Sequence, residues 1–373
     1  MVYQLTKELS KRGHEVSVLT TNAYFNGKKG CEGENGVIYR FELFSKRLSK
    51  QNIMVANPEF VSWVKKTLEN YDCIHLHGYR NLQNIVIHHY AKKYSIPYVL
   101  QAHGTLPRIM VKQRLKWGYD VLFGYRLLRD ASKVIALSRM EAEQYRGMGV
   151  PEEKIAVIPN GIDLSEYADL PPKGSFKKKF GIDDDEKIVL YLGRIHWIKG
   201  IDILVKAFAN VIKKLDNIRL VIVGPDDGYL SELQALIKAL RIENKVIITG
   251  PLYGRDKIEV YVDADVYVLP SRYETFPMTL LEVYACAKPV VASKVGKSKD
   301  LVIDNVTGLS VEPVNAEHLA SAILYLLNND DKAEEMGLRG KQFVKKNFAI
   351  EKVVDKLERL YEDIINNKSH RTF

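Results

Sequence analysis

Two carboxylates and two cations in this sequence stand among neighbours that leave them little to do but chemistry. Glu282 lies in the run TLLEVYACA (279–287), which is almost wholly apolar. An ionised Glu in such a run needs a partner or a ligand hydroxyl to hold its charge. Glu274 precedes it by eight residues, in a loop ahead of a helix pattern, so the two would stand roughly 12 Å apart if the whole span were helical. Arg194 and Lys199 sit in GRIHWIKG (193–200), with a glycine at each end and Trp197 between them. Two cations beside a helix N-terminus at the end of a buried strand suit a phosphate. They would neutralise a diphosphate leaving group, and the reach between the carboxylates is about that of a sugar nucleotide.

The histidines are more ambiguous. His103, in QAHGT, closes an apolar run and is followed by Gly104, which lets a backbone approach a ligand closely. It is a candidate for a sugar hydroxyl or phosphate, or a structural strand-end residue. His75 and His77, in HLHG, point the same way off a strand. They read as packing or loop-anchoring residues, since no third metal ligand is evident. Three lures are declined. GKS at 296–298 resembles a phosphate-loop ending, but that motif needs Gly where Val291 stands. Asp263-Ala264-Asp265 looks like a metal-binding Asp-x-Asp pair, yet its place between a short helix and a buried strand favours capping and turn duty. No Gly-x-Gly-x-x-Gly is present, so a nicotinamide enzyme has no support.

These residues need a frame that brings strand ends together. Short apolar runs alternate with helical patterns along the whole chain, the mark of a parallel α/β sheet covered on both faces. The expected fold is two Rossmann-like, doubly wound domains facing across a cleft, with ligands beyond the carboxyl ends of the strands. Residues 1–170 read as the first domain and 171–186, with Pro171-Pro172 and the runs KKK and DDDE, as a linker. Residues 187–345 read as the second domain, and 346–373 as a helix that returns to the first. Such a domain normally opens with a strand and a Gly-rich turn, whereas Met1 already lies in a helix pattern. The start therefore reads as a truncation, or as a divergent domain without that strand. The stretch Ala23–Gly36 reads as a polar loop.

The 373 residues are 46% apolar and 27% charged, ordinary for a soluble two-domain protein. No run approaches a membrane span, and the first residues are not a signal peptide. Cys31, Cys73 and Cys286 show no disulfide or metal spacing. The expected location is cytoplasmic. The net charge of +9 is concentrated early, with 24 Lys+Arg against 17 Asp+Glu in residues 1–170. Arg108 to Lys133 holds seven of those cations among Trp, Tyr, Phe and Leu. This is either a solvated helix face or a surface that docks on an anionic acceptor or on anionic lipid at the inner face of the cell membrane. Nucleic acid is a poorer partner, as no recognition motif accompanies the charge.

Taken in order, RGHEVSVLT, QAHGT, VIALS, VIPNGID, YLGRIHWIKG, LVIVG and VLPSRYETFPMTLLEVYACAKPVVAS resemble the retaining glycosyltransferases of family 4, which have the GT-B fold. Glu274 and Glu282 match that family's Glu-x7-Glu pattern. The resemblance implies that Glu282 holds the ribose hydroxyls of a nucleotide sugar and that Glu274 faces the donor sugar. Arg194 and Lys199 would bind the diphosphate, and His103 would contact the sugar near the reacting carbon. Gly193, Thr275 and Phe276 would complete the donor site. The implied reaction moves a hexose, with retention and without metal or other cofactor, from a nucleotide-diphosphate sugar to a glycan or lipid-linked acceptor. A sugar-nucleotide 2-epimerase and an inactive sugar-nucleotide binder are the alternatives. The chain departs from the family in lacking the Gly-rich turn, and in reading Gly296-Lys297-Ser298-Lys299-Asp300 where the family often has Gly-Gly-x-Pro-Glu.

Overall fold

The structure is a computed structural model that describes residues 1–21, 31–33, 36–42, 57–108 and 112–369. It divides into two compact units: Met1–Gly161 together with the last helix, Ile350–Ser369, and Ile162–Ala349.

The first unit runs through the helix Val2–Lys11, then β1 (Ser17–Thr21), β2 (Cys31–Gly33) and β3 (Gly36–Phe41). It continues with the helix Pro58–Thr67, β4 (Ile74–His77), the helix Leu82–Lys93 and β5 (Tyr98–Gln101). A helical stretch over 113–130, β6 (Lys133–Ala136), the helix Arg139–Gly147 and β7 (Ile155–Val157) complete it. Helix starts follow their capping residues: Asn57, Asn81 and Ser138 each accept the N–H three residues on. The strands form two sheets and not one, ordered β1-β3-β2 and β4-β5-β6-β7. β1 and β4 are each the edge of their own sheet, because among the described residues no strand lies between them. The polar stretch read as a loop contains β2, which pairs antiparallel with β3; the rest of it lies outside the described residues.

Strand periodicity divides the core of this unit. Leu100, Val134 and Ala136 face one cluster, while their neighbours Val99 and Ile135 face another built with Leu5, Leu9, Ile350, Val354 and Leu357. The helices Val2–Lys11 and Ile350–Ser369 therefore cover the same sheet face. Arg12 ties them, reaching Asp355 at 2.7 Å and Glu358 at 2.5 Å while bonded to Glu8 at 3.0 Å.

The second unit holds β8 (Lys187–Leu192), β9 (Ile218–Val223), β10 (Val246–Gly250), β11 (Val266–Leu269), β12 (Val290–Ser293) and β13 (Gly308–Val311). They form one all-parallel sheet in the order β10-β9-β8-β11-β12-β13. The direction of strand addition reverses between β8 and β11, which opens a crevice at their carboxyl ends.

The stretch 171–186 is not a linker but part of this unit. Its helix Ser175–Phe180 is held by Asp263, whose fully buried carboxylate accepts the N–H groups of Gly174, Phe176 and Lys177 at 2.6, 2.8 and 3.0 Å. Asp265 accepts the N–H of Ile188 at 2.7 Å. The Asp-x-Asp pair is thus spent on backbone donors. Asp263→Ala strips three amides of their acceptor and should lower stability by about 3 kcal/mol in urea unfolding; an unchanged midpoint would show the cap to be dispensable.

Candidate functional site

In the second unit, β8 ends at Leu192 and delivers Gly193 and Arg194, while β11 ends at Leu269 and delivers the loop that carries Glu274. The two strands pair in parallel, so both loops leave the sheet at the same edge. Lys199, in a short turn after β8, places Nζ 2.7 Å from Oε1 of Glu274. Ser271 donates its hydroxyl to the same oxygen at 2.7 Å. Glu274 is 5% exposed; a carboxylate so enclosed keeps its charge only with such donors.

Two glycines hold this loop in place. Gly200, at φ +66°, lies so close to Pro270 that a Cβ there would stand 2.1 Å from its carbonyl oxygen. Gly296, at φ +48°, lies under the carbonyl of Glu274, where a Cβ would stand 1.7 Å away. Only glycine fits either position without moving backbone. The GKS segment is thus a support for the Glu274 loop. Its Lys297 pairs with Asp300 at 3.1 Å, and its Ser298 hydroxyl bonds back to Ser293 and Val295 at 2.6 Å.

Glu282 stands on the helix Met278–Ala285, which does not extend back to Glu274, so the two carboxylates are not on one helix. Its partners are Lys257 Nζ at 2.8 Å and the Tyr261 hydroxyl at 2.8 Å. Each carboxylate oxygen retains a lone pair for a further donor. Arg194 is exposed and pairs with Asp227, so the two cations expected to converge on one anion take different carboxylates. The expected helix N-terminus, at Ile201–Val211, carries Asp202, which Arg272 holds through two bonds of 2.8 Å while stacked over Trp197. Thr275 is half-buried, and buried Phe276 packs edge-on to Phe348.

Sequence reading missed Ser271, Lys257, Tyr261, Asp227 and the Asp202–Arg272 pair. A signal existed only for Lys257 and Tyr261, four residues apart and hence on one face of the helix Gly254–Asp263.

His103 belongs to the first unit. It follows β5 in a left-handed conformation, φ +52°. Its Nε2 lies 2.9 Å from Nδ1 of His77, the last residue of the neighbouring β4. His75 stacks on His77 with ring centroids 4.1 Å apart and bonds the Tyr361 hydroxyl at 2.7 Å. Gly104 donates its N–H to fully buried Glu141 at 2.6 Å, and Ala102 to Tyr145.

In the basic stretch, fully buried Asp120 takes Arg108 at 2.7 Å and Arg80 at 2.8 Å. Arg129 pairs with Asp130 and Lys133 bonds the Glu153 carbonyl. Arg108 is therefore committed to the fold, whereas Arg129 remains exposed. The outer face presents Leu115, Trp117, Val121, Leu122, Phe123 and Tyr125 to solvent, beside Arg114 and Arg126. Among the described residues no helix is long and apolar enough to cross a membrane.

Burial lowers the His75 pKa to about 3 and that of His103 to about 4, with His77 also lowered. An unfolded histidine titrates near 6.5. Between those values the unfolded chain binds protons that the folded chain does not, so stability falls as pH drops from about 6.5 towards 4. Urea midpoints at pH 7 and pH 5 should differ more for the wild type than for His75→Phe; equal differences would show that His75 does not titrate in this way.

Residues 172–343 match the family described as Glycosyl transferases group 1, and residues 1–166 match Glycosyltransferase Family 4. The chain is 25% identical to the N-acetyl-alpha-D-glucosaminyl L-malate synthase of Bacillus anthracis, over 98% of this chain and 93% of that protein. It is 26% identical to the D-inositol 3-phosphate glycosyltransferase of Kineococcus radiotolerans, over 91% and 84%. Among solved structures it is similar to sucrose-phosphate synthase from Thermosynechococcus elongatus, with a TM-score of 0.82, 25% identity and coverage of 98% and 93%. With both units matched along nearly their whole length, the chain belongs to the group 1 glycosyltransferases of family 4 and is a transferase with the GT-B fold.

Proposed function

We propose that this glycosyltransferase moves a hexose from a nucleotide-diphosphate sugar to a hydroxyl of a glycan or lipid-linked acceptor, with retained anomeric configuration and no metal. The observation that carries this reading is the meeting of Lys199 and Glu274 at the crevice between β8 and β11. A cation already held there by a buried carboxylate needs little reorganisation when a diphosphate arrives, and its charge acts outside bulk water. Lys199 and Arg194 neutralise the departing diphosphate. Glu274 accepts hydroxyl protons from the donor sugar, and Glu282, steadied by Lys257 and Tyr261, accepts both hydroxyls of the ribose. His103 meets the sugar near the reacting carbon. The names of the relatives support a sugar donor, and they differ in acceptor, so the acceptor is left at its chemical class.

A product assay across UDP-, GDP- and ADP-hexoses, with and without chelator, tests the reading. One donor should give an α-linked product at the same rate in chelator; failure of all three nucleotides to bind would overturn it. Lys199→Ala should lower kcat/KM about 100-fold. Glu282→Ala should weaken nucleotide affinity about tenfold in calorimetry, and an unchanged affinity removes Glu282 from the ribose.

The exposed apolar face of the 113–130 stretch supports docking on anionic lipid, the side chains entering the headgroup layer beside Arg114 and Arg126. Cosedimentation with phosphatidylserine-containing vesicles should fall about fivefold in the double variant Trp117→Glu, Leu122→Glu. Equal sedimentation of both proteins would assign the face to another partner.

A further inference from the structure

His103 has two ring nitrogens, and the fold commits one of them. Nε2 lies 2.9 Å from Nδ1 of His77, with the two rings inclined by 19°. Among the described residues Nδ1 of His103 makes no hydrogen bond. His77 is itself held, since it ends β4 in register with Gln101 and is stacked on His75, which the Tyr361 hydroxyl anchors in turn. The left-handed backbone at His103 and the Gly104 N–H bonded to Glu141 fix the other end of the loop. The ring of His103 is thus constrained from below by the ring of His77.

Two neutral imidazoles joined nitrogen to nitrogen share one proton. If Nε2 of His103 donates, Nδ1 of His77 must be bare, so both rings are protonated at Nε2. If Nδ1 of His77 donates, both are protonated at Nδ1. The tautomers are coupled, and whichever holds decides whether Nδ1 of His103 accepts from a ligand hydroxyl or donates to one. Burial disfavours a cation anywhere on this stack and holds all three histidines neutral at pH 7.

We propose that His77 is a positioning residue for His103, setting the plane and the tautomer of its ring so that Nδ1 is the atom presented to the sugar. The proposal rests on the reading of His103 as a contact of the donor sugar. It explains why β4 ends in a polar ring at this point, and it makes HLHG part of the site through His103 without any contact of its own with substrate. A misaligned ring costs rate more than binding, since the hydrogen bond matters most where the sugar distorts towards the transition state.

The test combines nitrogen NMR of ¹⁵N-histidine-labelled protein with turnover on the donor selected by the hexose panel. In the wild type, His77 and His103 should show the same single tautomer; a His103 ring averaged between both tautomers, as in free solution, overturns the proposal without any variant. His77→Asn, whose amide can donate or accept where Nδ1 stood, should keep kcat within about threefold. His77→Phe, which keeps the stacking area and loses the hydrogen bond, should lower kcat about tenfold with the donor KM within twofold and release the His103 tautomer. Equal kcat in the Asn and Phe variants, with His103→Ala inactive, would overturn the role of His77 and leave the reading of His103 standing. Wild-type turnover in His103→Ala would remove both.

Discussion

The second unit depends on one enclosed charge. Glu274 is 5% exposed and is held by Lys199 and Ser271, each 2.7 Å from the same oxygen. A buried carboxylate that loses its cation typically costs 3–5 kcal/mol, so the pair constrains everything packed around it. It joins the loop after β8 to the loop after β11 where the strand order reverses. Gly200 and Gly296 close on the same loop from two sides, each against a carbonyl that leaves no room for a Cβ. The result is a charged site with a rigid backbone, which is what electrostatic stabilisation of a leaving group requires.

The first unit solves a comparable problem with neutral groups. His75, His77 and His103 descend from the end of β5 to the helix Ile350–Ser369, whose Tyr361 closes the series. That helix comes from the far end of the chain and is fastened by Arg12, which engages carboxylates on both helices of the layer. The histidine stack therefore rests on a contact between residues nearly 300 positions apart. Local sequence carries no trace of such a dependence.

Much of the fold was legible because parallel strands buried on both faces leave unbroken apolar runs. β8, β9 and β11 are such runs. The candidate site was legible where a charged residue stood against its surroundings, as Glu282 does in TLLEVYACA. It was illegible where a pair forms across the fold. Asp227 is an ordinary surface acid until Arg194 meets it, and Asp120 and Arg108 look like solvated charges until the 113–130 stretch buries the carboxylate. The stretch 171–186 misled for the opposite reason. Its prolines and charge runs are what a linker would carry, yet the buried acceptor that organises it, Asp263, lies nearly 90 residues away.

What the sequence by itself determined was the alternation of strands and helices, the two-unit α/β class, the family, and the set of residues with reason to be polar at strand ends. The class follows from periodicity and composition, which act along the chain, and the family from the ordered motifs that resemble it. What only the tertiary structure decided was partnership: that Lys199 belongs to Glu274 and Arg194 to Asp227, that Glu282 answers to Lys257 and Tyr261, and that His77 stands behind His103. Ion pairs and ring contacts fall off within a few ångströms, and the separation that governs them is set by the sheet order and not by position along the chain.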